Sequence, residues 1–371
     1  MAAVVLLGIA GCGGPTLKPW HTEELDAEFT LDKADEVRSF ADYQRLEDEL
    51  FNQLEQQVYA GVPTGREFEL ERYSAGSAAD PQHREPNWNR SFELGTETPA
   101  GAVLLLHGMS DSPYTFRALA ETLNERGFHV VGLRMPGHGT APSGLASVSW
   151  RDMAAAVAIG MQHLAARMGD KPIHIVGYST GTPLAVNYTL DALEAEGTRV
   201  PASLILISPA VSLHRAAALA GFKRRLAYVP GLGSLAWLQV LPEFDPYKYN
   251  SFPTNAAEQV HGITRSVSGR MASLARSGSL AAFPPTLVFK STVDATVSTN
   301  AVVDNLLARL APERNELVLF DVNRLAVKSI LMTEDPGPLT DRVMNDGKLP
   351  FAVTLVANEN PESTRVVAHH K

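Results

Sequence analysis

The sequence predicts an α/β protein with a mainly parallel, eight-stranded-type sheet, helices on both faces and a helical lid insertion. Three observations carry that expectation. From about residue 65 onward, short apolar runs alternate with helical periodicity. One of these runs, 173–176, turns through Gly177-Tyr178-Ser179-Thr180-Gly181 directly into a helical pattern. Between about 208 and 286 the alternation stops for roughly 70 residues, too long for a connecting loop.

The strand candidates are 68–73, 91–94, 102–107, 129–133, 172–177, 203–208, 286–290 and 316–321. Helical periodicity lies between several of them, at 114–126, 150–168, 180–196 and 299–310. The interruption, about 211–280, carries Leu219, Phe222, Leu226, Trp237 and Leu241, an apolar content that suits a lid over a site. Helices packed on the sheet edge are the plainer alternative. Residues 325–350 read as a possible insertion and 351–356 as a further strand.

Ahead of this domain, taken as 65–371, residues 13–64 are expected to hold a polar tether to about Lys33 and then an amphipathic helix. Phe40, Tyr43, Leu46, Leu50, Phe51, Leu54 and Val58 recur at three- and four-residue steps. Residues 1–12 end an apolar run in Ile9-Ala10-Gly11-Cys12, which resembles the signal of a bacterial lipoprotein. That resemblance implies a lipidated Cys12, a membrane anchor, and a place in the bacterial cell envelope on its periplasmic or outer-membrane side. Positive charge ahead of the run is missing, and a start upstream of Met1 would supply it.

Bulk composition narrows the function. The 371 residues are 45% hydrophobic and 20% charged, an ordinary balance for one large domain or two small ones. A formal net charge of −9 gives no electrostatic hold on phosphate backbones, so nucleic acid is not an expected partner. No apolar run approaches the ~20 residues that span a bilayer. One cysteine, Cys12, rules out an internal disulfide framework. No cofactor is expected, and no metal: His138 has no neighbouring Cys, Asp or Glu to complete a ligand set.

The strand–turn–helix setting makes Gly177–Gly181 a nucleophile elbow. A serine on so sharp a turn is strained and lifted clear of the sheet, and the flanking glycines let the helix return beside the strand. Ser179 is therefore the candidate nucleophile, and the backbone N–H of Thr180 faces the site. Upstream, Leu104-Leu105-Leu106-His107-Gly108-Met109 is a buried run entering a His-Gly turn, and Arg134-Met135-Pro136-Gly137-His138-Gly139-Thr140 follows the next strand. His107 and His138 read as loop-shaping residues.

Taken in order, these three segments resemble the monoacylglycerol-lipase-like and serine-aminopeptidase-like branch of the α/β-hydrolases, over roughly 101–320. The resemblance implies that Met109 supplies the second oxyanion-hole N–H beside Thr180. It implies that Asp294, after the strand at 286–290, orients the catalytic histidine. Asp321, one strand later, is taken as a surface carboxylate. In relatives the histidine follows the last strand, and here no histidine lies between His261 and His369. The expectation is that it lies beyond Lys371, with His370 as the candidate within the chain.

Three functions fit. The first is an esterase or lipase acting on small-molecule or lipid esters through an acyl-enzyme on Ser179. The second is an aminopeptidase-like hydrolase, with Glu243 and Asp245 holding a substrate amino group. The third is a lipid-anchored binding protein on the same scaffold with an incomplete triad.

Overall fold

Seven of the apolar runs and two later segments assemble into one sheet in the computed structural model, which describes residues 16–211, 236–294, 299–312, 314–323, 337–360 and 363–371. The strands are β1 (Phe92–Leu94), β2 (Gly101–Leu106), β3 (Phe128–Leu133), β4 (Ile173–Tyr178), β5 (Ser203–Ile207), β8 (Thr286–Ser291), β9 (Glu316–Asp321), β10 (Ala352–Asn358) and β11 (Val366–His370), and a separate ribbon pairs β6 (Trp237–Gln239) with β7 (Phe252–Pro253). Their order is β1-β3-β2-β4-β5-β8-β9-β10-β11. Only the edge strands β1 and β11 run antiparallel to their neighbours. This is the α/β fold the sequence predicts, with nine strands described where eight were expected.

The long helices are α1 (Phe40–Gln57), α2 (Arg117–Glu125), α3 (Trp150–Met168), α4 (Gly181–Glu194) and α5 (Thr254–Ser277), with shorter α6 (Thr299–Asn305) and α7 (Gly337–Asn345). Strand alternation divides their roles. Leu104, Leu106, Val131, Leu133 and Ile175 face the main core, which holds Met161 and Leu164 of α3, Leu184 of α4 and Ile263 of α5. Val103, Leu105, Val130 and Val176 point the other way, against Phe116 and Ala120. Because both faces of β2 are covered, all six of its residues are buried, and its sequence reads as an unbroken apolar run.

The stretch expected as a tether is packed instead. Trp20, Ala27 and Phe29 are buried, and Trp20 stacks on Tyr73 at 5.0 Å between ring centroids. The reason is electrostatic. The guanidinium of Arg134, 1% exposed, donates from Nε to Glu47 (2.6 Å) and from Nη2 and Nη1 to the two oxygens of Glu28 (3.0 and 3.1 Å). Glu28 also accepts the Gly137 N–H, Glu47 the Ser91 hydroxyl, and the Tyr43 hydroxyl donates to the Arg134 carbonyl. The arm at 16–57 thus supplies both carboxylates for a cation the domain has buried.

Two other expectations are corrected. Residues 68–73 are not a strand: a short 3₁₀ turn at Arg66–Phe68 leads to buried Arg72 and Tyr73, which bond to the 139–140 and 243–245 backbones instead of a neighbouring strand. The later part of the lid stretch is α5, whose Val260, Ile263, Val267 and Met271 are buried in the body. Residues 212–235 of that stretch lie outside the described residues. Of the possible insertion at 325–350, Gly337–Asn345 form α7 between the parallel strands β9 and β10, and residues 325–336 lie outside the described residues.

Replacing Glu47 by Ala strands part of a buried cation. Burial pushes the Glu47 carboxyl up, and only Arg134 and Ser91 hold it down. We expect Glu47→Ala to lower stability by about 3–5 kcal/mol in urea unfolding, the usual cost of breaking one side of a buried pair.

Candidate active site

The elbow stands at the C-terminal end of β4, where loops of a parallel sheet converge. Ser179 has φ +49°, a left-handed conformation costing a side-chain-bearing residue on the order of 1–3 kcal/mol. Hydrogen bonds hold it there. Its N–H donates to the Ile207 carbonyl (2.9 Å), and its carbonyl accepts from the N–H and hydroxyl of Thr182 (3.0 and 2.6 Å). A Cβ on Gly177 would stand 2.7 Å from the Gly181 carbonyl oxygen, and one on Gly181 would overlap the Leu106 carbonyl oxygen. Thr180 opens α4, where N–H groups and the helix dipole concentrate partial positive charge.

The loop after β2 lies against this turn. A Cβ on Gly108 would come within 3.1 Å of the Tyr178 ring and 3.3 Å of Ser179 Cβ, which brings the 108–109 backbone beside the serine. His107 fixes the loop. Its Nδ1 donates to the Gly108 carbonyl (2.9 Å) and its Nε2 accepts the Met135 N–H (3.1 Å), which assigns the neutral tautomer. Burial and the adjacent His138 hold its pKa well below the usual imidazole range. His138, buried against it, is lowered to about 4 and turns Nδ1 to the Pro136 carbonyl. Both act on the loop backbone.

Asp294 follows β8, two strands from β4, and its Oδ2 is 2.6 Å from the buried Lys290 Nζ. Burial depresses the Lys290 pKa while Asp294 opposes that shift. Burial also raises the Tyr178 phenol, with further upward pressure from the carboxylates of Asp111 and Asp294. Asp111, just past the His-Gly turn, is raised to about 6, chiefly by burial.

With that geometry in hand, the comparisons with known proteins are specific. The profile of the family described as serine aminopeptidase, S33, matches residues 97–322. The chain belongs to this family. It is 29% identical over 159 residues to a lysophosphatidylserine lipase of Danio rerio, covering 42% of this chain and 40% of that one. It is 31% identical over 116 residues to a thermostable monoacylglycerol lipase of a Bacillus species, covering 31% and 41% respectively. The chain thus spans about two fifths of the length of these curated relatives. A metagenome-derived lipolytic enzyme of known structure shares the α/β-hydrolase fold at 20% identity, with a TM-score of 0.50 over 62% of this chain and 87% of that one.

In this serine aminopeptidase family member, His370 is not at the site, which corrects the candidate within the chain. It lies on β11, five strand spacings from β4, or about 24 Å. Its Nδ1 bonds to Thr354 (2.9 Å) and is 3.8 Å from Glu316, the first residue of β9, so it sits at the opposite end of the strands from Ser179. The tail is held because Lys371 and Val353 exchange two backbone hydrogen bonds. Asp321 is buried and accepts from the Thr292 hydroxyl (2.8 Å), not a surface carboxylate. Glu243 accepts the N–H groups of Asn250 and Ser251, and Asp245 those of Tyr247 and Lys248, so both are tied into the 243–251 turn. Cys12 lies outside the described residues. Sequence reasoning missed Asp111 and Lys290, and also the Tyr249 N–H that reaches the Ser110 carbonyl (2.9 Å).

Gly181→Ala should cost about 1–3 kcal/mol through the Leu106 clash, whereas Gly269→Ala, with open space around it on α5, should gain up to about 1 kcal/mol. Thermal unfolding of the two variants measures this difference in sign. Asp111 gives a pH test. Its folded pKa of about 6 exceeds the unfolded value, so the folded state holds the proton more tightly. Stability should fall as pH rises from about 4 to 6, and Asp111→Asn should remove that part of the slope.

Proposed function

We propose that the chain is a serine hydrolase of lipid-type carboxylic esters, with Ser179 as nucleophile. The observation that carries this reading is the positive φ of Ser179 on an elbow pressed against the Gly108 backbone. A strained serine held by so many contacts fits a group presented for attack. Ser179 Oγ attacks the ester carbonyl, and the N–H groups of Met109 and Thr180 receive the oxyanion. The alcohol leaves, and water then releases the acid from the acyl-enzyme. Asp294 lies about 10 Å across two strand spacings, a gap that one imidazole bonded at both nitrogens spans. That imidazole is the base in this reading, and it is not His370.

Ester chemistry is favoured over aminopeptidase chemistry because Glu243 and Asp245, the carboxylates suited to a substrate amino group, are spent on backbone N–H groups. Acylglycerol-type and lysophospholipid-type esters are the substrate classes that the named relatives suggest. The lipobox-like Ile9-Ala10-Gly11-Cys12 adds the proposal of a lipid anchor at the cell envelope.

Fluorophosphonate labelling of the natural protein tests the nucleophile. Labelling and p-nitrophenyl ester hydrolysis should both vanish in Ser179→Ala, with a loss of up to ~10⁶ in kcat. Activity that survives this change would place the chemistry elsewhere, and an unlabelled wild type would favour a binding scaffold. Detergent partitioning that is unchanged in Cys12→Ser would remove the anchor.

A further inference from the structure

Away from the elbow, three side chains from three elements converge at the β1 edge of the sheet. His129 Nε2 is 2.5 Å and His163 Nε2 3.1 Å from the same atom, Glu93 Oε1. All three ligating atoms lie within 4.8 Å of one another. Glu93 is on β1, His129 near the start of β3 and His163 on α3, so rigid backbone sets their spacing. His129 is buried in the interior, while Glu93 and His163 keep a fifth or so of their side chains exposed, at 23% and 20%, which leaves a path for a solvated ion. The Phe40 ring packs on His163 with centroids 4.8 Å apart and limits its swing.

We propose that Glu93, His129 and His163 form a binding site for a divalent transition-metal ion of the zinc type. Tetrahedral zinc with bonds of about 2.0–2.1 Å holds its ligand atoms about 3.4 Å apart. The two carboxylate–imidazole distances, 2.5 and 3.1 Å, need to open by less than about 1 Å to admit it. Two imidazoles and one carboxylate select zinc, cobalt or nickel over the harder magnesium and calcium. Water fills the fourth position. In the metal-free protein the imidazoles donate Nε2–H to the carboxylate. On binding, the ion takes the place of those protons, which pass to Nδ1 or to solvent.

Arg167 opposes the ion, its Nε 3.4 Å from Glu93 Oε1. Its side chain is 53% exposed and free to turn into water when the ion arrives. Bound there, the ion ties the edge strand β1 to β3 and α3, so its role is to brace the sheet edge.

The test is calorimetric titration of the whole chain with Zn²⁺, paired with the electronic spectrum of the Co²⁺ form. Both are done in a His369→Gln/His370→Gln background, which removes the exposed histidine pair of the tail. One ion per chain, intense four-coordinate cobalt bands and a raised Tm are expected. Glu93→Gln and His163→Gln should each weaken binding at least about 10-fold. Arg167→Ala should tighten it by removing the opposing charge. The proposal is overturned by the absence of saturable binding in the background protein, or by binding that none of these three substitutions alters.

Discussion

Burying a guanidinium is the constraint around which this molecule is arranged. An unpaired Arg134 in the interior would cost several kcal/mol in lost hydration, so the fold must bring it anionic partners with the right geometry. It brings two, Glu28 and Glu47, and both come from the N-terminal arm. The arm is therefore part of the domain. From Arg134 the constraint passes one residue on, to the Met135 N–H, which fixes His107, which in turn fixes the Gly108 carbonyl. A surface-looking segment and the wall of the candidate site are joined through three hydrogen-bonded steps and one peptide bond.

The elbow shows a second kind of constraint, purely steric. Strand β4 and helix α4 can meet at the angle seen only because positions 177 and 181 carry no side chain. That close approach places the serine against Gly108, and a methyl group at either glycine would meet the Gly181 or the Leu106 carbonyl. The strain at Ser179 is sustained by its surroundings: Ile207 and Thr182 grip the serine's own N–H and carbonyl.

What the sequence made legible was local. The apolar runs marked eight of the nine described strands, those of the sheet's interior most clearly because burial on both faces leaves an uninterrupted aliphatic signature, and the elbow was plain because its glycines, serine and flanking elements are contiguous. Asp294 and Met109 were named through the family resemblance, and they stand just after β8 and β2. What stayed hidden was assembled across long separations. Glu28 and Arg134 stand 106 residues apart, and nothing in either neighbourhood announces the other, so a buried arm looked like a tether. Residues 68–73 alternate like a strand, yet no strand edge is offered to them. Residues 366–370 carried no strand candidate, but β10 presents an edge that pairs with them. The Glu93, His129 and His163 cluster has no spacing that a reader of metal motifs would stop at, because the sheet and a helix create it.

The arm also sets an order of events. His21 bonds to Ser251, a partner 230 residues later in the chain. At about 5–20 residues per second on the ribosome, the first part of the arm waits roughly 10–50 s for the last part of its berth to be made. During that interval Trp20 and Phe40 already have Tyr73 and His163 to pack on, and it is His21 that lacks its partner. The arm is thus seated in two stages, its aromatic residues and carboxylates on the middle of the chain and its leading histidine on a turn made later.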